Sequence, residues 1–133
     1  MGARLQYAKV IDRQLYYDRG ARIHPGLDSE IVLNGEPGVA GAFLVLRAWT
    51  DDHGTFTEQW HIETPGGSRI YQSTPRELHL ATASHVEHLE DEVADLKLDY
   101  AADGYRVVFK LDEHVVAAVD VPINADHLAD DAG

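Results

Sequence analysis

The sequence predicts an all-β protein, a sandwich of about seven to nine short antiparallel strands with one short helix. Three observations carry the prediction. Apolar and polar residues alternate with a period of two along Val93–Ile123, the mark of half-buried strands. Glycine- and proline-bearing turns punctuate the chain at short intervals, as in Asp51-Asp52-His53-Gly54 and Thr64-Pro65-Gly66-Gly67. Only one stretch has helical spacing.

The clearest strands come last. Leu96, Leu98 and Tyr100 alternate against Asp95, Lys97 and Asp99. Tyr105, Val107, Phe109 and Leu111 alternate against Arg106, Val108 and Lys110, and Val115, Ala117, Val119 and Val121 follow in the same phase. Earlier, Leu5–Asp12 alternates loosely, and Asp12-Arg13-Gln14 reads as a turn into Leu15-Tyr16-Tyr17. The adjacent tyrosines then point to opposite faces, leaving one exposed. Asp18-Arg19-Gly20 turns again before a short strand at Ala21–Ile23. Glu30–Leu33 is a brief β-branched run, and Asn34–Gly41 is the most loop-like stretch, with three glycines and a proline.

Ala42–Thr50 is a strand that is apolar on both faces: Leu44, Leu46 and Ala48 on one, Phe43, Val45, Arg47 and Trp49 on the other. One wet face would not look like this. Either another segment of the chain covers the second face or another subunit does, and the second option makes Phe43, Val45, Arg47 and Trp49 a candidate interface. In Phe56–Glu63, Phe56, Trp60 and Ile62 share an inward phase. Strands over Arg69–Ser73 and around Leu78 and Leu80 follow. The helix is expected between Ser84 and Ala94, where Ser84 and Glu87 have capping-box spacing and Val86, Leu89 and Val93 share a helical face.

Size and composition place these elements in one domain over residues 1–123, followed by a polar, acidic, frayed tail over 124–133. The 133 residues are 44% hydrophobic and 26% charged, an ordinary globular balance. Acids outnumber bases 23 to 11, for a net charge of −12. Such a chain repels phosphate backbones and anionic bilayers, so nucleic acid and membrane are not expected partners. There is no cysteine, which removes disulfides, thiolate metal sites and cysteine nucleophiles together and suits a reducing cytoplasm. No apolar run has the length of a signal peptide or a membrane helix.

No glycine-rich phosphate loop, G-x-S-x-G elbow, H-E-x-x-H helix or D-x-D-x-D-G calcium loop occurs. The best cluster for chemistry is Glu77–Glu92. On a helix begun at Ser84, His85, His88 and Glu92 fall at i, i+3 and i+7. With His79 from the preceding strand they would suit a divalent metal. The plainer reading of the same residues is a solvated face.

Asp103-Gly104-Tyr105-Arg106-Val107 resembles the tyrosine corner of immunoglobulin-like domains. In the antibody members a cysteine follows the tyrosine by two positions; here that position is Val107, so the resemblance implies the fold without its inter-sheet disulfide. Trp60 stands where the core tryptophan of such domains would be. The run Tyr7–Gly20, taken with the last three strands, is similar to small uncharacterised bacterial families of single immunoglobulin-like sandwiches. That resemblance implies a structural role for Asp103 and Tyr105 and carries no activity. The expectation is a non-enzymatic binding or assembly module acting on itself or on a protein partner, without a cofactor. The alternative is a metal-dependent enzyme, or a metal or pH sensor, built on His79, His85, His88 and Glu92.

Overall fold

The computed structural model describes residues 2–18, 20–21, 31–32, 39–97 and 104–124. They form β1 (Arg4–Asp12), α1 (Arg13–Asp18), β2 (Ile31–Val32), β3 (Phe43–Thr50), β4 (Gly54–Glu63), β5 (Arg69–Gln72), β6 (Arg76–Leu80), β7 (Glu87–Val93), β8 (Gly104–Leu111) and β9 (His114–Asn124). One sheet has the order β1-β3-β7 and is wholly antiparallel. The other has the order β2-β9-β8-β4-β5, with β6 also pairing β4. Only the two-residue β2–β9 contact in it is parallel. The all-β expectation holds.

The second sheet follows the sequence pattern closely. Trp60 lies opposite Phe109 and Ile62 opposite Val107, while Tyr105 and Val107 lie opposite Val121 and Val119. All these side chains join the core between the sheets. Glycine is needed at Gly104, because a Cβ there would lie 2.8 Å from the Val121 carbonyl oxygen. In the Thr64–Gly67 turn the positive φ falls at Gly67, a type I turn closed by a left-handed glycine.

Four expectations need correction. Residues 84–94 form no helix; their regular part is β7, hydrogen-bonded along β3 from Phe43↔Val93 to Trp49↔Glu87. Leu89 and Val93 are four apart, a spacing that serves a helix face and a strand face equally. The other positions of that inward phase, Glu87 before the pair and Asp91 within it, are acidic and hid the period of two. In the opposite sense, Arg13–Asp18 is a helix where a turn was expected. Asp12 caps it by accepting the Leu15 amide at 3.1 Å.

Val115 is out of phase with Ala117 because β9 carries an extra residue against the Phe109–Lys110 step; it points to solvent at 66% exposure. The expected strand through Leu96 contributes, as far as Lys97, a single bridge from Lys97 to Val39. Leu98–Tyr100 lie outside the described residues, as do Arg22–Ile23, most of the Asn34–Gly41 loop and the tail from Ala125.

The fourth correction concerns β3. Phe43, Val45, Arg47 and Trp49 are each 0% exposed, and Phe43, Val45 and Trp49 belong to the core between the sheets. They are the inward face, so they offer no interface to a partner. The outward face is Leu44 and Leu46, and the chain covers it itself: Leu15 and Tyr16 of α1, with Tyr7, pack on Ile11, Leu44 and Leu46. Tyr17 is the exposed one of the tyrosine pair. The Leu44→Ala variant is expected to lose about 2–5 kcal/mol of stability. Val115→Ala is expected to stay within about 0.5 kcal/mol of wild type. Urea unfolding of both variants, with unchanged slopes, checks the contrast.

Candidate functional site

The densest chemistry in the described residues lies inside the sandwich. Strand alternation that places Val45 and Trp49 inward places Arg47 inward between them. The same phase on β4 places Glu58 inward between Phe56 and Trp60. The turn after β3 carries the chain across to the other sheet, so the two ions meet face to face, 0% and 1% exposed.

Arg47 Nε donates to Glu58 Oε2 at 2.8 Å and Nη2 to Oε1 at 2.5 Å, a bidentate pair. Nη1 donates to the Val45 carbonyl at 3.1 Å, and Nη2 lies 3.1 Å from Asp91 Oδ2. The indole N–H of Trp49 donates to Glu58 Oε2 at 2.6 Å. That of Trp60 donates to Asp91 Oδ2 at 2.7 Å. Arg76 closes the network from outside through Nη2 to Asp91 Oδ1. Two carboxylates, two guanidinium groups and two indoles thus join β3, β4, β6 and β7.

A buried ion pair recovers its desolvation cost only when further hydrogen bonds satisfy the remaining donors and acceptors, and here they do. The arrangement is suited to holding the two sheets together. Arg47 and Glu58 are closed off from solvent, while Asp91 and Arg76 reach its edge.

Among the described residues, two surface clefts bear on this site. One, of about 350 Å³, lies where the β5–β6 edge meets β7, beside Tyr71, Ser73, Pro75, Arg76, Asp91 and Glu92. Its floor is already bonded: Tyr71 stacks on Trp60 with centroids 5.4 Å apart, Ser73 Oγ accepts the Trp60 amide, and Asp91 is held as above. The other, of about 410 Å³, lies beside Glu63, Pro65, Arg106, Asp120 and Pro122. Its charges form a cross-strand ladder in which Glu63 lies opposite Arg106 and Arg106 Nε reaches Asp120 at 3.1 Å.

The histidine-rich residues are dispersed. His79 sits on β6 beside Thr55 Oγ1 at 3.2 Å. His85 pairs with Glu87 at 2.8 Å, and His88 Nδ1 lies 3.0 Å from the Tyr7 hydroxyl. Glu92 is bound by Arg13 at 2.9 Å. Because the segment is a strand in one sheet and His79 belongs to the other, the helical spacing that would have gathered them does not exist. Among the described residues no group of three or more histidine, aspartate or glutamate side chains is placed to hold a metal ion. Nor is any described helix long and apolar enough to cross a membrane.

Of the proposed corner, Tyr105 is buried in the core, while Asp103 lies outside the described residues. Sequence reasoning missed Glu58, Asp91 and His61. Glu58 had a signal, its shared phase with Phe56 and Trp60. His61 is 3% exposed, with Nε2 3.0 Å from Glu63 Oε2 and Nδ1 without a partner; it lines neither cleft.

On the outer face of the first sheet, burial raises the pKa of Tyr7, with a smaller contribution from Tyr16. Burial also raises that of Tyr16, followed by Glu90 and Tyr17. The folded state therefore favours the neutral phenols. Their contribution to stability is complete below the unfolded tyrosine value of about 10 and is lost as pH rises through the folded values. The unfolding free energy is expected to decline above about pH 10, less steeply in a Tyr7→Phe/Tyr16→Phe variant.

A second expectation concerns the ion pair. Glu58→Gln leaves Arg47 buried without its counter-ion and should cost about 3–5 kcal/mol, measured as a shift of the urea midpoint.

No family model matches the chain, and no curated protein matches it. A solved structure, Pseudomonas fluorescens alkylpurine DNA glycosylase AlkC bound to DNA containing an abasic site analog, is similar over 92% of this chain, with a TM-score of 0.56 and 10% sequence identity. The chain spans 30% of that protein's length. The likeness is one of fold.

Proposed function

We propose that the chain is an immunoglobulin-like sandwich that works as a non-enzymatic protein-binding or assembly module. The observation that carries this reading is where the polar interior is spent. Arg47, Glu58 and Asp91 bond one another and the tryptophans, so the charges buried between the sheets are taken up by one another. The strand arrangement supports the immunoglobulin-like part: three antiparallel strands, β1-β3-β7, face a sheet in which β9, β8 and β4 are adjacent, the relation of strands A-B-E to G-F-C in such domains. Tyr105 at the start of β8 and the buried Trp60 on β4 also agree with it. The similarity of this chain to part of a longer solved protein supports a module's role. Absence of cysteine suits a reducing compartment such as the cytoplasm.

A nucleic-acid reading is prompted by the DNA in the similar structure, and the net charge of −12 opposes it. Tag-free protein titrated into a duplex carrying an abasic analogue should show no binding tighter than about 100 µM at physiological salt. Its metal content should be well below stoichiometric. Submicromolar DNA binding, or stoichiometric zinc, manganese or iron lost in His88→Ala, would overturn the proposal.

A further inference from the structure

The cleft of about 350 Å³ between the β5–β6 edge and β7 has a volume at the small end of ligand pockets. It sets an aromatic ring among hydrogen-bonding groups that are held in place and still have capacity. Tyr71 stacks on Trp60 with ring centroids 5.4 Å apart and planes 26° apart. Trp60 is 1% exposed, so the half-buried Tyr71 is the ring that the cleft presents. The cleft beside Glu63 and Arg106 has no comparable ring, since Tyr105 there is buried in the core.

The polar groups around Tyr71 are fixed by the network behind them. Asp91 is gripped by the Trp60 indole, Arg47 and Arg76, and its Oδ1, which among the described residues accepts only from Arg76, keeps a second acceptor position. Arg76 uses Nη2 on Asp91 and retains the N–H groups of Nε and Nη1. Ser73 Oγ accepts the Trp60 amide and keeps its own proton to donate. The charges lining the cleft are matched: Asp91 by Arg47 and Arg76, Glu92 by Arg13. A ligand with a net charge therefore meets no unmatched counter-ion. A polyol meets what it needs, because each hydroxyl can donate to a carboxylate and accept from a guanidinium or hydroxyl. The C–H face of a sugar ring also carries the partial positive charge that the face of an aromatic ring attracts.

We propose that this cleft binds one neutral pyranose ring, its C–H face on Tyr71 and its hydroxyls on Arg76, Asp91 and Ser73. The inference goes beyond the binding-module reading and does not depend on it.

Two-dimensional NMR of the tag-free full chain, titrated with D-glucose, D-galactose, D-mannose and N-acetyl-D-glucosamine to about 50 mM, tests the proposal. At least one sugar should shift the Trp60 Nε1–H and Arg76 Nε–H signals saturably, with a dissociation constant of about 1–10 mM, the range for a ligand of one ring. Tyr71→Leu keeps Trp60 covered and removes the ring face; it should weaken that binding about tenfold with unchanged circular dichroism. Arg76→Gln, altering a side chain at the cleft's rim, should weaken it by about the same factor. No saturable shift with any of the four sugars, or a dissociation constant unchanged in the folded variants, would overturn the sugar site. So would sodium acetate producing the same shifts at equal or lower concentration, which would make the cleft an anion site. The DNA and metal measurements decide the binding-module reading separately.

Discussion

The fold depends on a charge placed where charges are expensive. Arg47 points into the core from the middle of β3, and its guanidinium is matched on two sides by Glu58 and on a third by Asp91. Neither sheet can satisfy this cation alone, because β3 and β7 belong to one and β4 to the other. An apolar core would tolerate sliding of one sheet over the other at modest cost. A bidentate pair completed by two indole N–H groups does not, since each displaced bond leaves a desolvated ion. Sliding one sheet over the other would therefore break these bonds and leave the ions desolvated and unpaired.

That choice has consequences outward. With Arg47 facing in, β3 must turn Leu44 and Leu46 to the opposite side, and the first sheet acquires an apolar outer face. A six-residue helix answers the demand, started by Asp12 and held over the patch by Leu15 and Tyr16. The helix, with Tyr7, covers that apolar face.

Much of this was legible. The alternation of Tyr105, Val107, Phe109 and Leu111, and of Phe56, Trp60 and Ile62, located β8, β4 and their inward faces directly, because every inward position named is apolar and only Glu58 on β4 breaks the run. β3 was legible as doubly buried and illegible as to direction: both faces are hydrophobic, and the arginine that suggested the outer one is the residue the core is built around. β7 failed for a related reason. Its inward residues include Glu87 and Asp91, so the strand period was masked and the i, i+4 pair of Leu89 and Val93 resembled a helix. Once the helix was lost, the metal constellation of His79, His85, His88 and Glu92 lost its geometry. Local pattern reads apolar cores well. It misreads positions where polar residues are buried by pairing with partners distant in sequence.

The account stands or falls on the two indole N–H groups that donate to buried carboxylates. Hydrogen exchange at Trp49 Nε1 and Trp60 Nε1, followed by NMR on the native protein, measures their protection directly. If the network closes the sandwich, both protons exchange only through global unfolding, with the same free energy as the slowest amides of β3 and β4. Exchange of either indole at the rate of an exposed tryptophan, while those amides stay protected, would contradict it.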